Sequence, residues 1–147
     1  MSHDITREIA EQQLEKLFEY YEIELEKQLK ADNAEKAQAT ADDIRDRLTR
    51  AIMKGRLEIC DDEESQYGGL KIVQRLRRPV GNVSQIVYGE VTGRARTAIK
   101  DVDKGSPHAK VYSLLGAISK EPVQVFMNIG GVDLTCAETL AAVFSLV

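Results

Sequence analysis

The chain has 147 residues, of which 43% are hydrophobic and 30% charged, with a formal net charge of −4. That length suits one ordinary domain, or a small domain with an appendage, and its core needs no disulfide or metal staple. No apolar run nears the roughly 20 residues of a membrane span. The polar N-terminus MSHDITREIAEQ does not read as a secretory signal, and Cys60 and Cys136 stand far apart with no CxxC or Cys/His spacing. These features predict a reduced, cytoplasmic protein with no membrane, metal or cofactor partner.

Charge is divided unevenly: residues 1–67 hold 10 Lys+Arg against 18 Asp+Glu, and residues 68–147 hold 10 against 6. An acidic front and a basic back point to two regions with different jobs. From Asp4 to about Lys30 the apolar residues Ile5, Ile9, Leu14, Leu17, Phe18, Tyr21, Leu25 and Leu29 recur mostly three and four apart, uninterrupted by Gly or Pro. The spacing predicts one amphipathic helix. The polar ADNAE turns the chain. From Ala34 to Lys54, Ala37, Ala41, Ile44, Leu48 and Ala51 follow a 4-3-4-3 spacing, the narrow seam of a helix packed on a partner. Gly55 lies just beyond, where a left-handed cap is cheap. Residues 1–55 therefore read as a helical hairpin. Either it simply adds core, or it is an arm that oligomerises or grips a partner.

RLEIC and GLKIVQRL are strand candidates, joined through DDEESQYGG into a small antiparallel β-hairpin. In the second strand Leu70, Ile72, Gln74 and Leu76 share the core face, and Lys71, Val73, Arg75 and Arg77 the other. The acidic run Asp61–Glu64 lacks the alternating spacing and distal Glu of a calcium loop and reads as solvated. Pro79 is expected to end the strand. Beyond it Val83, Val87, Val91, Ala95, Ala98 and Val102 recur at helical spacing, with Asn82 or Ser84 as cap. QIVYGEV also has strand propensity, but the longer period predicts a helix with Gly89 and Gly93 on one face.

Ser106 is expected to cap a helix that has Pro107 in its first position and runs through Val111, Leu114, Leu115 and Ile118. A short helical turn through Val123, Phe126 and Met127 follows SKEP. NIGGVD reads as a loop. Leu134 to Phe144 reads as a last helix carrying Leu140, Val143 and Phe144. The expected fold is α+β and mostly helical: the hairpin arm over 1–55, then a β-hairpin and a C-terminal helical bundle over 56–147.

No catalytic constellation is visible. His3 lies in the terminus, and His108 sits in a first helical turn without a relay partner. There is no GxSxG, HExxH or P-loop, and Asp42/Asp43 and Asp101/Asp103 read as solvated faces. With no Trp and eight Phe plus Tyr, a stacking platform for bases is poorly supplied. A non-enzymatic protein is expected, with no catalytic residue, metal site or cofactor.

In order and punctuation, the pieces RLEIC, GLKIVQRLRRP (Gly69–Pro79), VYSLLGAISKEP (Val111–Pro122), IGGVDL (Ile129–Leu134) and LAAVFSLV (Leu140–Val147) resemble the small tail assembly chaperones of long-tailed phages. The resemblance covers residues 56–147. It implies a cytoplasmic protein without an active site, absent from the finished particle. Such a protein binds an aggregation-prone partner, a tape-measure or tail tube-like protein, through apolar helix faces.

The alternatives are a structural capsid or tail component forming symmetric ring contacts, or a nucleic-acid binder using the basic region 71–100. There Lys71, Arg75, Arg77, Arg78, Arg94, Arg96 and Lys100 face Glu90 alone; the chain's overall acidity argues against nucleic acid. A homo-oligomer is expected. The residues expected to make partner or oligomer contacts are Phe18, Tyr21, Ile44 and Leu48 of the hairpin, Arg75, Arg77 and Arg78, Gly89 and Gly93, and Phe144. For the arginines, the competing expectation is a solvated edge that discourages strand pairing.

Overall fold

A computed structural model describes residues 5–63, 69–93, 95, 97 and 107–147. Helix α1 (Arg7–Tyr20) starts where the Thr6 hydroxyl accepts a hydrogen bond from the Ile9 N–H (3.3 Å), and it buries Ala10, Leu14, Leu17 and Phe18. Ile9, expected on the buried stripe, is 48% exposed and Ala10 takes its place.

The helix expected to continue to Lys30 stops at Tyr20. Glu22 turns left-handed (φ 54°), its N–H donates to Glu19 O (3.2 Å), and the Ile23 N–H donates to Phe18 O (2.8 Å). These are the two bonds of a Schellman stop, built here without glycine. The physical reason is Ile23. On a continuous helix it would lie about 140° from Phe18, off the buried stripe, at about 100° per residue; the break buries it to 7% exposure. Short α2 (Leu25–Gln28) follows with Leu25 fully buried.

Asn33 caps α3 (Ala34–Met53) by accepting from the Lys36 N–H (2.8 Å). Its seam, Ala37, Ala41, Ile44, Leu48 and Ala51, is buried as the spacing predicts, and Thr49 and Ile52 join it. The stop is again a Schellman motif, here at Gly55 (φ 75°) as expected, with Arg56 N–H on Ala51 O and Gly55 N–H on Ile52 O, both 3.0 Å. The Ile5 N–H bonds Met53 O (3.1 Å), which sets α3 antiparallel to α1.

The sheet has three antiparallel strands in the order β1 (Leu57–Asp61), β2 (Leu70–Val80), β3 (Val83–Tyr88). The third strand corrects the helix expected from Val83. Val80 pairs with Val83 around Gly81-Asn82, with Gly81 at φ 56°, and Gly-Asn between apolar runs is a two-residue hairpin signal. Pairing inserts Ile86 and Tyr88 into the core, both at 0% exposure. A helix start follows only at Gly93, with the Thr92 hydroxyl accepting from the Ala95 N–H (3.3 Å). Gly89 and Gly93 therefore share no helix face. Arg94, Arg96, Ala98, Lys100 and Val102, with Ser106, lie outside the described residues.

Pro79 does not end β2. Between the pairs Arg75↔Gln85 and Val80↔Val83, Leu76 to Pro79 oppose Ser84 alone. Proline, which lacks an N–H, is tolerated in such a bulge.

Helices α4 (Pro107–Ser119), α5 (Val123–Asn128) and α6 (Gly131–Phe144) complete the chain; α6 begins three residues before the expected Leu134. The fold is α+β and mostly helical. Helix α1 guards the outer edge of β1: Gln13 Oε1 accepts the Ile59 N–H (3.2 Å), and Lys16 pairs with Asp61 (2.8 Å). Helix α6 lies on β2 and α4 on β3. Residues of 1–55 and of 56–147 belong to one apolar cluster, from Ala10 to Phe144. Among the described residues no helix is long and apolar enough to cross a membrane.

Candidate functional site

In the bulge of β2 two successive backbone N–H groups stand outside the ladder, and one side chain takes both. Asp133, in the first turn of α6 and 3% exposed, accepts the Arg77 N–H on Oδ1 (2.9 Å) and the Arg78 N–H on Oδ2 (3.1 Å). The helix dipole favours a carboxylate there. A second polar link runs beneath. Gln74 sits on the apolar face of β2 at 1% exposure; its Nε2 donates to Asp133 O (2.9 Å), and its Oε1 accepts from the Tyr88 hydroxyl (2.7 Å). Each buried polar atom on this path finds a partner, as burial requires. The Tyr88 ring packs against Phe144 (5.7 Å) and Phe126 (6.5 Å). The strand bulge is thus bolted to the start of the last helix.

Above the bolt lies an open cavity of about 520 Å³ lined by Arg77, Arg78, Asn128, Gly130–Val132 and Asp133. Both arginine side chains are exposed, and among the described residues neither makes an ion pair. Val132, 39% exposed, lines the same cavity. The corner therefore offers two guanidinium forks and one apolar side chain on a backbone held by Asp133. Guanidinium forks match carboxylates in geometry as well as charge.

Other residues expected at contacts lie elsewhere. Arg75 spans to Glu58 on β1 (2.8 Å) and is already paired. Phe18, Ile44, Leu48 and Phe144 are 0–6% exposed, so their apolar surface is spent inside the chain and is not available to a partner. Arg45, held by Glu26, lies over the Phe18 ring (5.7 Å). Half-buried Tyr21 accepts the Val91 N–H on its hydroxyl (3.3 Å), and Tyr20 donates to Glu90 (2.8 Å), so the end of α1 is tied to the exit of β3. The Gly89 N–H donates to Ile118 O (3.1 Å). Of the basic residues of 71–100, Lys71 and Arg75 lie on the sheet surface and Arg77 and Arg78 at the corner, while Arg94, Arg96 and Lys100 lie outside the described residues.

Titration behaviour follows this packing. Burial pushes the Tyr21 hydroxyl up to about 12 and the Cys136 thiol up to about 12, and raises Tyr88 well above its ordinary value. Burial also raises the Cys60 thiol, and the hydrogen bond from Arg45 lowers Glu26. A thiol raised in this way is a poor nucleophile. His108 stacks on Tyr112 (6.4 Å); His3 lies outside the described residues.

Sequence reasoning missed Asp133, Gln74 and Tyr88. One signal was present: Gln74 stood as the lone polar residue on an apolar strand face, which demands a buried partner. No protein-family model matches this chain, and neither a curated protein nor a solved structure is similar to it.

Proposed function

We propose that this chain is a non-enzymatic assembly protein of the tail-assembly-chaperone kind, which acts by docking other protein chains on the Arg77–Arg78 corner. One observation carries the reading. LRRP (76–79) and the GGVD stretch (130–133), two of the pieces in which the chain resembles those chaperones, are joined by Asp133 into a single corner that presents two guanidinium groups free of ion pairs among the described residues. Apolar helix faces are mostly consumed in the core, so contact falls to this corner and to Val132 beside it. The partner segment it fits is acidic with an apolar residue alongside.

Pull-down from cells assembling the particle, with mass spectrometry of the retained protein, tests this. The chain should retain one partner stoichiometrically, and Arg77→Glu/Arg78→Glu should lose it while melting like the parent. Unchanged recovery by the double variant would sink the corner as a docking surface. DNA retained at physiological salt by the parent and lost by the variant would favour the nucleic-acid reading instead.

A further inference from the structure

The acidic half of the molecule has its own unanswered charge. At the C-terminal end of α1, a groove of about 380 Å³ is lined by Glu15, Phe18, Glu19, Glu22, Ile23 and Glu24. Of its four carboxylates only Glu24 makes an ion pair among the described residues, with Lys27 (3.4 Å). Helix α1 has no basic residue in its last turn, so these acids crowd the negative end of its dipole, where a cation is the favoured neighbour. The groove floor is apolar: Phe18 and Ile23 lie beneath the acids at 3% and 7% exposure.

The Arg77–Arg78 corner is the complement in two respects. It carries positive charge where the groove carries negative. It is also held away from the groove within its own chain. Asp133 places the N-terminus of α6 at the corner, while Leu146, just past the other end of α6, accepts from Gln28 of α2 beside the acidic groove (3.0 Å). The 14 residues of α6 separate the two surfaces by about 20 Å, at about 1.5 Å per residue. Neither surface can neutralise the other inside one molecule.

We infer that the occupant of the corner is a second copy of this chain: Arg77 and Arg78 of one copy engage Glu15, Glu19 and Glu22 of the next. The contact is heterologous, so repeating it produces a closed ring or an open filament rather than a two-fold dimer. This inference rests on the reading of the corner as a protein-docking surface and names what docks there.

Sedimentation velocity on the full chain, over a range of concentration and salt, tests it. Mass should grow with concentration in low salt and fall toward the monomer in high salt, since exposed charges are screened beyond a Debye length of about 10 Å at 0.1 M. Arg77→Glu/Arg78→Glu and Glu19→Arg/Glu22→Arg should each be monomeric. Mixing these two variants should restore association, because each supplies the charge the other lacks, and should do so only in the mixture. Arg77→Gln/Arg78→Gln repeats the test without introducing acid at the corner, and thermal melting confirms that every variant is folded. A parent that stays monomeric at every concentration and salt overturns the self-contact, while partner capture that still depends on Arg77 and Arg78 leaves the docking reading standing. If the arginine variants change neither association nor capture, both fall. A mixture that fails to reassociate also overturns the pairing of these two surfaces.

Discussion

The α1–α3 pair and the β2–α6 junction hold together by opposite means. Between the helices the interior is almost wholly apolar, Leu14, Leu17 and Phe18 against Ala41, Ile44 and Leu48 with Thr49 the one buried polar side chain of α3, and the ion pairs stay on the rim. At the junction the interior is polar, with Tyr88, Gln74 and Asp133 linked in sequence and ending on two backbone N–H groups. An apolar seam tolerates small shifts, because dispersion and burial have little direction. A buried polar path does not, because an unmet donor or acceptor costs about 1–3 kcal/mol. The junction therefore fixes one geometry, and the exposed arginines sit on the part whose geometry is fixed.

The sharpest way to break this contrast is to put a charge into the seam. Ile44 is 6% exposed, and Ile44→Asp buries a carboxyl with no partner, at an expected cost of at least about 4 kcal/mol. Since α3 packs on β1 and α6 as well as on α1, the whole chain should unfold in one transition at lower temperature. A residual transition belonging to residues 56–147 would mean that the seam and the junction are independent.

Alkaline pH attacks both regions at once. Tyr21 ties the end of α1 to Val91, while Tyr88 and Cys136 lie at the junction side. Tyr21 moves from an ordinary 10.0 to about 12, Cys136 from 9.0 to about 12, and Tyr88 also rises. A folded value above the unfolded one means the native state holds its proton longer. That stability is complete below about pH 9 and is lost as pH climbs toward 12. Melting temperature should fall steeply over that interval, with tyrosinate absorbance rising together with the loss of helix signal. Ionisation of all the tyrosines at their ordinary value, with the fold intact, would contradict the burial of Tyr21 and Tyr88.

Next in size is Asp133→Ala, which leaves the Arg77 and Arg78 amides without their acceptor. The expected cost is about 2–4 kcal/mol, since two hydrogen bonds to a charged group are lost. Asp133→Asn should recover about half, as its amide offers one carbonyl oxygen for the two N–H groups. Hydrogen exchange at those two amides should accelerate in both variants, and more in the alanine one. Unchanged exchange would show that the bulge is held by something other than this carboxylate.

How much of this was legible depends on the distance over which each feature is decided. The 4-3-4-3 run from Ala37 to Ala51 is a local period, and it identified the seam residue by residue. The third strand was locally written too, in Val80-Gly81-Asn82-Val83, but a chance helical spacing of Val83, Val87 and Val91 outweighed it. The alternation that mattered was Ile86 and Tyr88 inward, Gln85 and Val87 outward. The Asp133 clamp was beyond reach, since its partners Arg77 and Arg78 lie 56 and 55 residues earlier and nothing in either segment names the other. The break at Glu22 was hidden for a different reason: glutamate carries no stop signal, and tertiary burial of Ile23 imposed the turn.

That break supplies the smallest effect and the most local test. Glu22 holds φ at 54°, a left-handed conformation in which any side chain with a Cβ is strained by roughly 1 kcal/mol. It also places a carboxylate at the negative end of α1, which costs a few tenths more. Glycine relieves both, though its looser unfolded chain gives back part of the gain. Glu22→Gly should therefore raise stability by about 0.5–1 kcal/mol, read as a higher denaturant midpoint with unchanged slope. Gly55 ends α3 with the same pair of hydrogen bonds and already has the permissive residue, so Gly55→Ala, strained at φ 75°, should shift the midpoint the other way by a similar amount. Two helix stops with one geometry and opposite responses would show that the α1 break is imposed by the packing of Ile23 and not by its own sequence. A loss of stability in Glu22→Gly would mean instead that the glutamate side chain makes a contact which outweighs its strain.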